Sequence, residues 1–259
     1  MFTRGQEGIP NMSERRAKMP FLELMGAEAV KEMIRPGAIK THLPFDMIPY
    51  SENAKYIYIT RNPYDCCVSF YHHTKKLPFY SFQNGTFDQF FDMFIEGKVE
   101  YGDYFSHLLR WYEHRNDLNV LFLTYEDLKR DIRAIIRKTA NLLGEQTYGV
   151  PFREDAQLLE KVVELSSIDK SKSVNAEWNK WIEEFVAPSS SPSGAMKSKL
   201  LSQDGAPLGQ ARGQHVRKGI VGDWKNHFTQ GQVSRMKNYI ALKTAGSDIM
   251  SLWKDTEIL

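Results

Sequence analysis

An α/β fold with a parallel sheet is the architecture this sequence predicts, on three observations. Short runs rich in β-branched and aromatic residues recur around Ala38–Thr41, at 55–60 (KYIYIT) and at 119–124 (NVLFLT). The segments between and after them change to helical periodicity. The runs also lack a polar alternation, so they read as strands buried on both faces, the kind that helices cover in parallel sheets. With 42% hydrophobic residues in 259, the chain has material for one large core, and a single domain over 1–259 is expected.

The elements follow in order. The first run is interrupted by Lys40 and His42 and ended by Pro44. The second leads through Arg61 into NPYDCCVSFYHHTK, a helix with Asn62 as N-cap, Pro63 at its first position and Asp65 as capping-box partner. TFDQFFDMFIEG puts Phe87, Phe90, Phe91, Phe94 and Ile95 on one stripe, with Gly97 as a stop. YGDYFSHLLRWYEH repeats the pattern with Tyr101, Tyr104, Phe105, Leu108 and Trp111 or Tyr112. EDLKRDIRAIIRKTANLLG reads as one helix, with Leu128, Ile132, Ile135, Ile136, Thr139 and Leu143 inward and Gly144 as its cap. A helix near 153–165 precedes EWNKWIEEFV, where Trp178, Trp181, Ile182 and Phe185 share a face. Residues 187–212, rich in Ser, Pro and Gly, are expected to form a flexible loop. SGAMKS within it lacks the preceding strand and the glycines of a phosphate loop. HVRKGIVGDWKNHF then leads to a last helix that Thr229 and Gln232 can cap.

Composition narrows the function. A net charge of +2 gives no global sign of a nucleic-acid partner. The only cysteines, Cys66 and Cys67, are adjacent, which rules out a disulfide framework and suits a reducing compartment. No apolar run is long enough to span a membrane, and the N-terminus lacks the apolar centre of a signal peptide. A cytoplasmic protein is expected.

In open α/β sheets, ligands bind beyond the carboxyl ends of the strands. Here those ends carry Lys40 and His42, Arg61, and Tyr125. Singly, each has an ordinary reading: His42 as a half-buried structural histidine, Lys40 reaching for solvent, Arg61 paired with a carboxylate. Arg61 also directly precedes a helix N-terminus, where free N–H groups and a fork-shaped guanidinium suit phosphate or sulfate. Ser69 lies two turns further on that helix. Arg217, Lys218 and Gly219 combine two cations with a glycine that lets a ligand approach the backbone. HHTKK at 72–76 reads as a solvated face, and no metal cluster is convincing.

Together, KTHLP, YITRNPYDCCVSFY, LFLTYEDLKRDI and RKGIVGDWKNHFT resemble the cytosolic sulfotransferases in order and approximate spacing, from about Pro20 to Phe228. The resemblance implies a P-loop-NTPase-like α/β fold. It also implies the co-substrate 3′-phosphoadenosine 5′-phosphosulfate (PAPS), no metal, and sulfuryl transfer to a hydroxyl or amine of a small acceptor such as a phenol, amine or sterol. By it, His42 matches the general base and Lys40 the lysine that stabilises charge on the transferred group. Arg61 and Ser69 match a grip on the 3′-phosphate, and Tyr125 a nucleotide contact. Ser166, Ser167 and Ile168 fall near the adenine, and Val216, Arg217, Lys218 and Gly219 match a second 3′-phosphate clamp. Phe21, Phe45, Phe79, Tyr80, Phe82 and Tyr148 are candidate pocket aromatics.

Two departures stand out. The family begins with a strand and a phosphate loop of the type YPKSGTTW, and no such segment occurs here. ERRAKMPFLE already matches a region beyond that loop, so the resemblance implies an N-terminally truncated member with strand edges left unpaired. The family's dimer segment, KxxxTVxxxE, reads Lys225, Thr229, Gln230 and Ser234, which leaves a monomer or another dimer mode. The alternative function is a catalytically impaired form that only binds the nucleotide; a nucleotide kinase is weaker, because its phosphate loop is absent too.

Overall fold

The computed structural model describes residues 11–77, 80–173, 177, 217–256 and 258. The chain divides into two compact units. One is Met1–His42, His72–Asn84 and Glu160–Gly219, the other Leu43–Tyr71, Gly85–Leu159 and Ile220–Leu259.

The second unit holds the sheet. β1 (Tyr56–Thr60) and β2 (Val120–Thr124) pair in parallel, Tyr56 opposite Val120 through to Thr60 opposite Thr124. Parallel partners need a helical crossover, and α3 (Pro63–Lys76), α4 (Phe87–Ile95) and α5 (Tyr104–Glu113) lie between them in sequence. Tyr58 stacks on Trp111 of α5 and meets Phe122 of β2, with both centroid distances 5.0 Å. The expectation of strands buried on both faces fails for β1. Tyr56, Tyr58 and Thr60 pack inward, whereas Ile57 and Ile59 are 43% and 52% exposed. The aromatic side chains select one face, and strand periodicity sends the isoleucines to the other.

Phe90, Phe91 and Phe94 of α4 and Phe105, Leu108, Trp111 and Tyr112 of α5 are buried, as their stripes predict. A capping box between Thr86 and Gln89 starts α4, and the Asp103 carboxylate accepts from Ser106 N–H to start α5. The single helix expected after β2 is two: α6 (Tyr125–Arg130) and α7 (Ile132–Leu143). Asp131 separates them with φ −149°, and its side chain caps α7 at Ala134 N–H. A polar residue on the outer face leaves the apolar period unbroken, so the pattern hides the break. After a π-turn at Glu145–Gly149, Asp155 separates α8 (Val150–Glu154) from α9 (Ala156–Leu165) in the same way.

In the first unit, α1 (Met12–Lys18) opens with a capping box between Asn11 and Glu14, and α2 (Leu22–Lys31) buries Leu24. The strand expected at Ala38–Thr41 reduces to an isolated parallel bridge, Phe21 with Lys40. Ala38 N–H donates to Lys18 O, Lys40 N–H to Pro20 O, and Leu22 N–H to Lys40 O, each at 2.9 Å. The pairing stops there because Leu22 already begins α2, so its partner stretch curls into a helix. A Cβ at Gly37 would overlap Lys18 O, Met33 and Ile34 O, which fixes glycine at this crossing. α10 (Ile168–Ser173) also belongs here.

The last helix, α11 (Gln230–Lys243), is in the second unit and starts with the expected Thr229–Gln232 capping box. It buries Met236, Tyr239 and Ile240, and Trp253 beyond it is fully buried. The aromatic face expected at 178–185 and the loop at 187–212 lie outside the described residues.

Candidate functional site

Lys40 and His42 meet in the first unit around two side chains from the start of α2. The Phe21 ring lies 5.0 Å from the His42 ring, edge-on, and carries Lys40 Nζ at 4.9 Å from its centroid. Glu23, in the first turn of α2, accepts hydrogen bonds from the His42 backbone N–H and from Thr41 Oγ1. The same Glu23 oxygen stands 3.6 Å from His42 Nδ1. Burial opposes ionisation of Glu23, but the hydrogen bonds from His42 outweigh it and hold the carboxyl below its ordinary range. Burial lowers the Lys40 pKa, the Glu23 charge resists that, and Arg15 adds to it. A carboxylate on the Nδ1 side favours the tautomer with Nδ1–H, which leaves Nε2 as the basic nitrogen. His42 is 43% exposed, so that nitrogen belongs to a side chain a reactant can reach.

Arg61 and Tyr125 meet in the second unit, where the two strands end. The guanidinium lies over the Tyr125 ring, 4.5 Å from its centroid. Its Nη2 donates to Ile220 O at 2.6 Å and stands 3.4 Å from Asp65. Arg61 Nε is buried with no hydrogen-bond partner. A buried donor without a partner costs about 1–3 kcal/mol, and an anion reaching it would remove that cost. Beneath, Asn62 N–H and Nδ2 both donate to Glu126, whose other oxygen accepts from Trp253 Nε1 at 2.9 Å. Here the capping-box expectation is half right: Asn62 Oδ1 accepts from Asp65 N–H, but the Asn62 N–H goes to Glu126 rather than back to Asp65. Asp65 is thereby released to accept from Gly222 and Trp224 N–H at 2.7 and 3.0 Å.

Ser69 is exposed on α3, whereas Asn62 is fully buried, so the two do not share an environment. Ser166 is exposed, and Ser167 caps α10 through Lys170 N–H, with Ile168 at the helix start. Gly219 takes φ +68°, a left-handed value that justifies glycine. Arg217 is near enough to Lys76 to reinforce the lowering of the Lys76 pKa, which burial begins. Val216 and Phe79 lie outside the described residues. The solvated face expected at 72–76 is instead half-buried, with Thr74 only 6% exposed. Of the pocket aromatics, Phe21 touches His42, while Phe45 stacks on His114 within the aromatic core. Sequence reasoning missed Glu23 and Glu126. PFLE upstream of the histidine was the only available sign of the first, and Glu126, one residue after Tyr125, read as an ordinary first-turn acid.

A family model described as "Sulfotransferase domain" matches residues 6–248. Sulfotransferase 1C2 of Oryctolagus cuniculus is 34% identical over 230 residues, covering 86% of this chain and 67% of its own length. Sulfotransferase 1B1 of Mus musculus is 31% identical over 248 residues, covering 90% and 72%. Among solved structures, mouse sulfotransferase SULT7A1 complexed with PAP has TM-score 0.60 at 30% identity, covering 87% of this chain and 72% of that one. Retinol dehydratase in complex with androsterone and PAP has TM-score 0.66 at 24% identity, covering 86% and 58%, a likeness of fold alone.

Proposed function

The chain belongs to the sulfotransferase domain family, and on that premise we propose that His42 is its general base and that Arg61 grips the donor's 3′-phosphate. The family reaction is PAPS-dependent sulfuryl transfer to a small acceptor, and it makes this chain a transferase by descent. One observation carries the proposal: a lysine and a histidine share one aromatic ring and one carboxylate, with the histidine partly exposed.

When bound, PAPS supplies an activated sulfuryl group. The protein's own contribution is to orient and to move a proton. His42 Nε2 takes the proton from the acceptor hydroxyl or amine, and Glu23 on the Nδ1 side steadies the imidazolium that results. Lys40, half-buried beside Glu23, places a positive charge where the transferred group would build up negative charge. Arg61 fits a phosphate, because its Nε is buried and unpartnered and it fronts the N-terminus of α3. Tyr125 offers its ring edge and hydroxyl to the nucleotide. Ser69, Ser166, Ser167, Ile168, Val216, Arg217, Lys218 and Gly219 complete the proposed nucleotide contacts on the strength of the motif alone.

The acceptor is a small molecule, and Phe21 beside His42 supports an aromatic or sterol ring. Among the described residues no helix is long and apolar enough to cross a membrane, which is compatible with the cytoplasmic placement we propose. Thr229 and Gln232 are engaged in capping α11, and Ser234 Oγ donates to Gln230 O, which supports a monomer or a different dimer mode.

A second reading is binding without turnover, which the buried and unpartnered Nε of Arg61 favours independently of any chemistry at His42. Calorimetry with adenosine 3′,5′-bisphosphate (PAP) and a donor-consumption assay over phenols, amines and sterols separate the two. Binding with turnover supports transfer, binding without turnover supports the second reading, and no binding refutes both.

A further inference from the structure

We propose that Asp65 is a positioning residue for 3′-phosphate recognition, setting the Arg61 guanidinium in place rather than touching the ligand. This rests on the reading of Arg61 given above. Asp65 is 1% exposed, and a carboxylate so buried is costly unless its charge is matched. It is matched four times: by Gly222 N–H at 2.7 Å, Trp224 N–H at 3.0 Å, Asn62 Nδ2 at 3.0 Å and Arg61 Nη2 at 3.4 Å. Those contacts tie the first turn of α3 to the turn before α11, a separation of 157 residues for Gly222.

The consequence for Arg61 is specific. Asp65 and Ile220 O hold one edge of the guanidinium at Nη2, the Tyr125 ring covers a face, and Tyr104 hydroxyl donates to the Arg61 carbonyl at 2.6 Å. Ile220 O is itself placed by the turn that Asp65 anchors two residues later. A guanidinium held at an edge, a face and its backbone keeps one orientation, and that orientation leaves Nε buried and without a partner. Preorganisation of this kind lowers the ordering cost at the moment of binding.

The proposal opposes a simpler view, in which Asp65 is only a negative charge beside an anion site. On that view its neutralisation tightens anion binding. On ours it loosens binding, and only for ligands that carry the 3′-phosphate.

Calorimetry on the full chain with PAP and with adenosine 5′-phosphate, which lacks the 3′-phosphate, separates these outcomes. Asp65→Asn is expected to weaken PAP binding roughly tenfold or more, a loss of the size of one charge-assisted hydrogen bond, with adenosine 5′-phosphate little changed. In an Arg61→Ala background the same substitution should add nothing, since it acts through that side chain. Asp223→Asn is the control for general damage. It removes a carboxylate equally buried in the same turn but paired with Asn226 and His227, and it should lower the melting temperature while keeping the ligand preference. Should Asp65→Asn not fold, Asp65→Glu, which retains charge but displaces it by a methylene, reads the same preference. Unchanged or tighter PAP binding, or full additivity with Arg61→Ala, overturns the proposal. A wild-type chain that binds both nucleotides equally overturns the Arg61 assignment and this inference with it.

Discussion

The surroundings of Arg61 and those of His42 are built on opposite plans. Arg61 stands on fully buried polar groups, Asn62, Asp65 and Glu126, that are satisfied by one another and by partners far along the chain. His42 is partly exposed and leans on Glu23 and Phe21 from an adjacent helix start. A grip on a fixed anion gains from rigidity. On the proposed role of His42, a base that takes a proton from an acceptor needs access, and a single partly buried carboxylate suffices to orient it.

The largest expected effect tests the exposed plan. In an active preparation, His42→Ala should lower turnover by about 10²–10⁴, while PAP affinity by calorimetry stays near wild type. Normal turnover would return His42 to a structural role and dissolve the contrast.

Next comes the buried plan. Glu126→Ala strands Asn62 N–H and Trp253 Nε1 inside the fold and leaves Asn62 Nδ2 with Asp65 alone. Each buried donor left unpaired costs about 1–3 kcal/mol, and a total of about 2–6 kcal/mol is a fall of roughly 4–24 °C in melting temperature for a chain of this size. A fall of only a degree or two would mean that water or another side chain replaces the carboxylate.

A smaller effect sharpens the contrast. Glu23→Gln keeps an acceptor for Thr41 and the His42 N–H but removes the charge on the Nδ1 side. Turnover should drop about tenfold, the scale of one charge-assisted hydrogen bond, with the melting temperature nearly unchanged. An equal change in stability and turnover would make Glu23 a packing residue.

The smallest effect lies away from both clusters. Asp103 accepts from Tyr239 hydroxyl and Ser106 N–H and pairs with Lys243 at 3.0 Å. Burial opposes its ionisation, yet these contacts hold its pKa below the ordinary value. A carboxyl with a depressed folded pKa stabilises above its unfolded value of about 3.9, and that stability is lost as pH falls through the folded value. The melting difference between wild type and Asp103→Asn should therefore be full near neutral pH and shrink as the pH drops below roughly 4. A difference independent of pH would remove charge from the account.

Much of this was legible beforehand, for reasons that vary by residue. The cap at Thr229 and the stripes of α4 and α5 depend on neighbours three or four positions away, and the sequence displays them directly. The split at Asp131 was hidden because a break on the polar face leaves the apolar period intact. Glu23 was hidden for another reason. Its importance arises only when 38–42 folds back along 18–22, and no periodicity announces a pairing of two short irregular segments.

By itself the sequence determined the family, through four ordered motifs, and with it the candidate base, the candidate arginine and the α/β class with parallel strands. It also set each helix end that a local hydrogen bond closes. Only the tertiary structure decided which face of β1 is covered, which carboxylate serves His42, and that Asp65 abandons its cap role to hold the turn at Gly222 and Trp224. The physical reason is range. Caps and stripes are set by bonds and periods that span one helical turn, whereas burial and the matching of a buried charge depend on groups as far apart as Asp65 and Trp224, which meet only when the chain has folded.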